Sequence, residues 1–248
     1  MKTSIKLFFA ISALMVIAIS AQGQDFVSDG LIAMWTMDKA SIEGDVLKDV
    51  SGNGNDANIM GAVNFDAGII GEAAIFDGGA GNYIEVPDMG EMEQDSVECW
   101  AYEQDWAPNM QGILSTWDWT GGKVHFKFQD NQIQVDKNGV GKVFAAAEAQ
   151  TWYHIIYTQG INEGVKLYVD GEFKSELAST GAALENWHER RIGSEHDGRF
   201  LNGMIDEVRV YDRILTEEEI MQNFENKSNS LAVKPAEKLA VTWGSVKE

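Results

Sequence analysis

The stretch Ser115-Thr-Trp-Asp-Trp-Thr-Gly121, followed by Lys123, His125 and Lys127, holds the residue types that meet a sugar. Aromatic faces stack on rings, and polar groups bond hydroxyls. Trp117 and Trp119 are two apart, so an extended chain turns both rings to one side. Next, His125, Lys127 and Gln129 alternate with Val124, Phe126 and Phe128, a strand with one polar and one apolar face. A second polar loop carries His188, Glu195, His196 and Arg199. The expected ligand-binding set is therefore Trp117, Trp119, His125, Lys127, His196 and Arg199. Core or edge packing would use the same two tryptophans, and spacing alone leaves both roles open.

Catalytic constellations are poorer. Glycoside hydrolysis needs two carboxylates about 5–5.5 Å apart for retention, or further apart for inversion. In a strand the natural pair is i and i+2. Glu98 and Glu103 of Val97-Glu-Cys-Trp-Ala-Tyr-Glu103 are five apart, so they face opposite ways. Glu103 and Asp105 share parity, but they fall at the strand's end beside Trp106 and Pro108. His125, His154, His188 and His196 have no serine elbow nearby. His188 and His196 lack the further short-spaced ligands of a zinc site. His154, in mid-strand, reads as a hydrogen-bonded structural histidine. The lone Cys99, in an alternating strand, reads as a buried, inert thiol. No enzyme is expected.

The 248 residues include 39 acidic against 19 basic side chains, a formal charge of −20. Lys2 and Lys6, the apolar run Leu7–Ser20 and Ala21-Gln22-Gly23 have the parts of an export signal; the alternative is an N-terminal membrane anchor. No Cys stands near the cleavage site for a lipid anchor. Loss of residues 1–23 leaves 17 basic residues and a charge of about −22. A secreted chain of this charge repels nucleic acid and anionic lipid, so no nucleic acid and no membrane insertion are expected. The same carboxylates suit Ca²⁺, which takes hard oxygen ligands.

The elements that must position these groups read as short strands cut by turns from Gly30 to Tyr211. Trp152-Tyr-His-Ile-Ile-Tyr-Thr158 carries bulk on both faces and reads as a buried strand. Asp170-Gly171 is a hairpin signal, because a type I′ turn needs positive φ at both central positions. Thr216 with Glu219 forms a capping box, and Ile220 and Phe224 give the short helix behind it one apolar stripe. The fold class is all-β: a two-sheet antiparallel β-sandwich (jelly roll) with a short C-terminal helix. Three segments follow: a signal peptide over 1–23, one sandwich domain over 24–226, and a linker and tail over 227–248.

Eight pieces in order resemble the laminin-G-like, concanavalin-A-like jelly-roll domains of bacteria. They are Leu31-Ile-Ala-Met-Trp-Thr-Met-Asp38, Asp49-Val-Ser-Gly-Asn-Gly-Asn-Asp56, Ala74-Ile-Phe-Asp-Gly78 and Asn82-Tyr-Ile-Glu-Val-Pro87. Trp152-Tyr-His154, Leu167-Tyr-Val-Asp-Gly171, Phe200-Leu-Asn-Gly-Met-Ile-Asp-Glu-Val-Arg-Val-Tyr211 and Leu215-Thr-Glu-Glu-Glu-Ile220 complete the series. The resemblance implies a structural Ca²⁺ held by Asp206, Asp38 and carbonyls around Gly78 to Asn82; otherwise Asp206 caps an edge or pairs with Arg209. The Asp49–Asp56 loop lacks an EF-hand's acidic twelfth position and reads as a structured turn. The implied function is a secreted, extracytoplasmic recognition module for a glycan or an extracellular protein. A glycoside hydrolase is the weaker alternative, since the fold hosts all three. Oligomeric state is not legible.

Overall fold

The computed structural model describes residues 26–117, 123–137, 139–179, 187–195 and 198–227. The expected signal peptide, the tail beyond Lys227, Trp119 and His196 lie outside them. Among the described residues no helix is long and apolar enough to cross a membrane.

The first strands are β1 (Leu31–Trp35), β2 (Ile42–Glu43), β3 (Val46–Leu47), β4 (Ala57–Met60), β5 (Asn64–Ala67), β6 (Glu72–Asp77) and β7 (Tyr83–Glu85). Then come β8 (Gln94–Glu103), β9 (Met110–Thr116), β10 (Val124–Gln129), β11 (Gln132–Lys137), β12 (Gly141–Ala146) and β13 (Trp152–Gly160). The chain continues through β14 (Gly164–Val169), β15 (Glu172–Leu177), β16 (Arg190–Ile192), β17 (Ser194–Glu195), β18 (Arg199–Phe200) and β19 (Asn202–Tyr211). Helix α1 (Glu217–Glu225) closes it.

Among the described residues these form two large antiparallel sheets, a jelly-roll sandwich. The back sheet has eight strands in the order β15-β14-β13-β8-β19-β6-β5, with β1 also on β19. The front sheet has nine, β12-β11-β10-β9-β16-β7-β4-β3-β2, and β17–β18 is a separate pair. Period-2 alternation builds the core between them. Val97, Cys99 and Ala101 of β8 and Ile155 and Tyr157 of β13 meet Phe126 and Phe128 of β10 and Ile133 and Val135 of β11. Full burial of one such large side chain stabilises by roughly 1.5–3 kcal/mol.

Turn chemistry closes the hairpins. Asp170 and Gly171 have φ of 54° and 77°, the type I′ pattern expected between β14 and β15. Asp130 and Asn131, at 54° and 57°, do the same between β10 and β11. The Asp49–Asp56 loop is a structured turn. Asp49 accepts N–H bonds from Met34, Ser51 and Asn55, and Asp56 accepts from Asp49 and from the Lys48 ammonium.

The back sheet's outer face is closed by α1 and the chain around Val27. Thr216 and Glu219 form the expected capping box. Val27, Ile156, Tyr168, Tyr211, Leu215 and Ile220 make a second apolar cluster, and Phe224 lies against the Trp100 and His154 rings. Beneath them Glu98 accepts from His154 Nε2 at 2.9 Å, Arg209 Nη1 at 2.6 Å and Asn223 Nδ2 at 2.6 Å. Burial opposes the Glu98 charge, but Arg209, His154 and Asn223 outweigh it and hold the carboxyl at about 2. Asn223 Oδ1 in turn accepts from the Val27 N–H at 2.8 Å, so both ends of the domain meet over this network.

Candidate ligand-recognition face

The front sheet's outer face gathers what the sequence scattered. Lys127 pairs with Gly112 of β9 and Gln134 of β11, and His125 with Ser115 and Asp136. Gly112 has no side chain, so the backbone of β17 lies directly on the sheet there. A Cβ on Gly112 would stand 2.2 Å from the Ser194 carbonyl carbon. That places the Glu195 carboxylate over β10. Its Oε1 lies 3.2 Å from His125 Nδ1, 3.3 Å from Lys127 Nζ and 3.2 Å from Arg199 Nη1. Burial opposes the Glu195 charge, yet the hydrogen bond with His125 and the Lys127 and Arg199 charges hold its carboxyl below the usual range.

This brings His125, Lys127 and Arg199 together, but it corrects the role of two of them. His125 and Lys127 are 0% and 1% exposed; both underpin Glu195 rather than face a ligand. Arg199, with 30% of its side chain exposed, stands at the cluster's rim.

Trp117 sits at the end of β9 on the outer face, half-buried and outside the core cluster. Its ring is not core packing. It lies 3.9 Å from the Arg191 guanidinium, and Tyr83 lies 4.1 Å from the same group. The strands carrying Trp117 and Tyr83 flank β16 on its two sides, so the guanidinium sits between the two rings. Tyr83 and Arg191 were missing from the sequence expectation. Parity alone marks Tyr83, because Ile84 beside it is core. Arg191 was visible only as half of a basic pair whose other member, Arg190, turns inward to the Trp187 ring and the Tyr157 hydroxyl.

The expected metal ligands divide into two groups. Asp206, on the outer face of β19, accepts the N–H groups of Ile69 and Ile70 through Oδ2, each at 2.9 Å. Its Oδ1 is buried with no hydrogen-bond partner among the described residues. Burial, only partly offset by those N–H groups and reinforced by Asp38, pushes the Asp206 carboxyl up to about 7. Asp206 makes no pair with Arg209, which bonds Glu98 and Glu207 instead. Gly78 and Asn82 do not join this pair. Asp77, just before them, is registered with Asn202, four residues from Asp206 and so about 13 Å away along the strand. Asn82 accepts from Ala62 and donates to Asp77 within its own turn. Among the described residues no third His, Cys, Asp or Glu gathers with Asp38 and Asp206.

The carboxylates weighed for hydrolysis face apart. Glu98 lies in the network under α1, whereas Glu103 shares the inner face with Cys99 and Ala101. Both Glu103 oxygens are buried without a hydrogen-bond partner among the described residues, and burial, helped by Asp105, pushes its carboxyl up to about 8. Burial likewise raises the Cys99 thiol well above its ordinary value.

Comparison with known proteins agrees with this architecture. A family model described as the concanavalin A-like lectin/glucanases superfamily matches residues 77–221. No curated protein sequence matches. Domain 4 of an extracellular arabinanase from Geobacillus stearothermophilus, solved with arabinotriose, superposes with a TM-score of 0.65 at 20% identity, covering 78% of this chain and 97% of that one. The binding domain of botulinum neurotoxin DC, solved with rat synaptotagmin II, gives 0.66 at 13% identity over 82% of this chain and 53% of that one. The binding domain of Paraclostridial mosquitocidal protein 1 gives 0.62 at 16% identity, over 79% and 52%. The chain thus spans about half the length of the toxin binding domains. At these identities the likeness concerns the fold.

Proposed function

The chain belongs to the concanavalin A-like lectin/glucanase superfamily, and on that premise we propose that it is a secreted, non-catalytic carbohydrate-recognition module. The observation that carries this reading is the pair of aromatic rings, Tyr83 and Trp117, held on the front sheet's outer face on either side of Arg191. Rings fixed on strands are a low-entropy surface for stacking sugars. Arg199, at the rim of the buried Glu195 cluster, adds an exposed polar group to the same face. Relatives of the fold solved with arabinotriose or with N-acetylneuraminic acid support a glycan ligand. Glu98 and Glu103, on opposite faces and each buried, support the absence of hydrolysis.

A structural Ca²⁺ is part of the proposal. Asp38 and Asp206 fit it: two hard carboxylates, one with a buried oxygen left without a partner. The ion would tie the end of β1 to β19, with carbonyl oxygens supplying the remaining ligands. Gly78 and Asn82, beside Asn202, lie too far along the sheet to join Asp38 and Asp206.

The test is a glycan array with purified protein, run with Ca²⁺ and with chelator, on the wild type, Trp117→Ala and Tyr83→Ala. The expected result is glycan binding weakened at least tenfold by either substitution. Glycan binding that ignores both would overturn the platform. Binding only to proteins, unaffected by free sugar, would favour an adhesion module instead.

A further inference from the structure

Three of the chain's five arginines pair with carboxylates. Arg209 bonds Glu98 and Glu207, Arg213 bonds Glu219 and Asp29, Arg199 bonds Glu195, and Arg190 bonds Tyr157 in the core. Arg191 has no side-chain ion pair or hydrogen bond among the described residues; its guanidinium lies against the Tyr83 and Trp117 rings. Glu85 is its direct cross-strand neighbour on the same face, yet the two make no ion pair. In a chain with 39 acidic residues, a half-buried arginine clamped between aromatics and left unneutralised is a built feature.

We propose that Arg191 anchors a carboxylate carried by the glycan, so that this face selects a saccharide containing a uronic-acid-type sugar. The inference rests on the glycan platform described above and names its ligand class. With the guanidinium carbon over both rings, its N–H groups are the part left to meet a ligand. That edge is a rigid fork matched to a planar carboxylate in a bidentate pair. Stacking also fixes the fork beforehand, so little side-chain freedom is lost on binding. The rings beside it then border the sugar that carries the acid. The ligand is sparsely charged: one free guanidinium neutralises one carboxylate, and a net charge of −20 repels a dense polyanion such as a heavily sulfated chain. At physiological salt the Debye length of about 8 Å screens that repulsion for a single acid group docking on Arg191.

The experiment compares glucuronoxylan oligosaccharides with the same oligosaccharides after their carboxyls are reduced to alcohols, using titration calorimetry on the full chain. The acidic form is expected to bind at least tenfold tighter at low salt. That ratio should shrink as NaCl is raised tenfold, fall to near one in Arg191→Gln, and be partly kept in Arg191→Lys, which retains the charge without the fork. Thermal melts confirm that each variant folds. Equal binding of both forms, or a ratio that survives in Arg191→Gln, overturns the proposal while leaving the platform standing. Failure of every glycan, neutral or acidic, overturns the platform and this inference together. Tighter binding of an oligo-aspartate peptide than of the acidic glycan, lost in Arg191→Gln, overturns the saccharide and assigns the fork to acidic peptides. A stronger response to sulfated than to carboxylated oligosaccharide overturns the carboxylate.

Discussion

Glu103 makes the sharpest quantitative prediction. Its carboxyl is 1% exposed at the inner end of β8, neither oxygen has a hydrogen-bond partner among the described residues, and its nearest charge of consequence is the like-charged Asp105. The unfolded chain releases this proton near the ordinary 4.5, whereas the folded chain keeps it to about 8. Between those values the unfolded state binds fewer protons, so stability falls as pH rises and levels off above the upper value. At 1.36 kcal/mol per pH unit the ceiling is ~5 kcal/mol; relaxation and water entry bring the expected loss to about 2–3 kcal/mol. The perturbation is Glu103→Gln, which keeps the shape and removes the titration. Urea unfolding of both proteins at half-unit steps from pH 4.5 to 8.5 gives the difference in stability at each pH. Asp206 titrates in the same window but is common to both proteins and cancels. The variant's advantage should grow by about 2–3 kcal/mol from the acid end to pH 8. A difference that stays flat, or narrows as pH rises, refutes the reasoning, because a solvated or hydrogen-bonded Glu103 would behave in those ways.

Other outcomes follow from single contacts. Gly112→Ala forces the β17 backbone off the front sheet, and chemical denaturation should show a loss of about 1–3 kcal/mol. Glu98→Ala strands buried Arg209 and His154 beneath α1, with an expected cost of about 3–5 kcal/mol in the same assay. Thr216→Ala removes one arm of the capping box and should cost about 1 kcal/mol. If calcium is bound, chelator lowers the melting temperature of the wild type but not that of Asp206→Asn.

Local chemistry was legible in the sequence because it is written in neighbouring residues. The bulk on both faces of Trp152–Thr158, the Asp170-Gly171 turn and the Thr216/Glu219 box each depend on residues a few positions apart, and each stands in the structure. The burial of His125 and Lys127 was not legible. It depends on Gly112, some eighty residues before β17, leaving room for a backbone to settle on them. Parity also fails at bulges. Irregular register between β9 and β10 sends both Ile113 and Leu114 into the core. A second irregularity, with Glu207 at φ 52°, breaks the alternation between Asp206 and Arg209. Gly78 and Asn82 stand apart from Asp38 and Asp206 for a related reason. Gly78 and Asn82 resemble the family's turn in composition, but distance along β6 is a matter of register that composition does not encode.

The Asn223–Val27 bond has a mechanical consequence. Entry and exit of the domain lie side by side on the helix-covered face, while Trp117, Tyr83 and Arg191 look out from the other side of the sandwich. Val27 and Asn223 therefore mark one side of the sandwich, and the rings of Trp117 and Tyr83 mark the other. Force applied at these two positions would load the bond between them first and would reach the front sheet only through the thickness of the core.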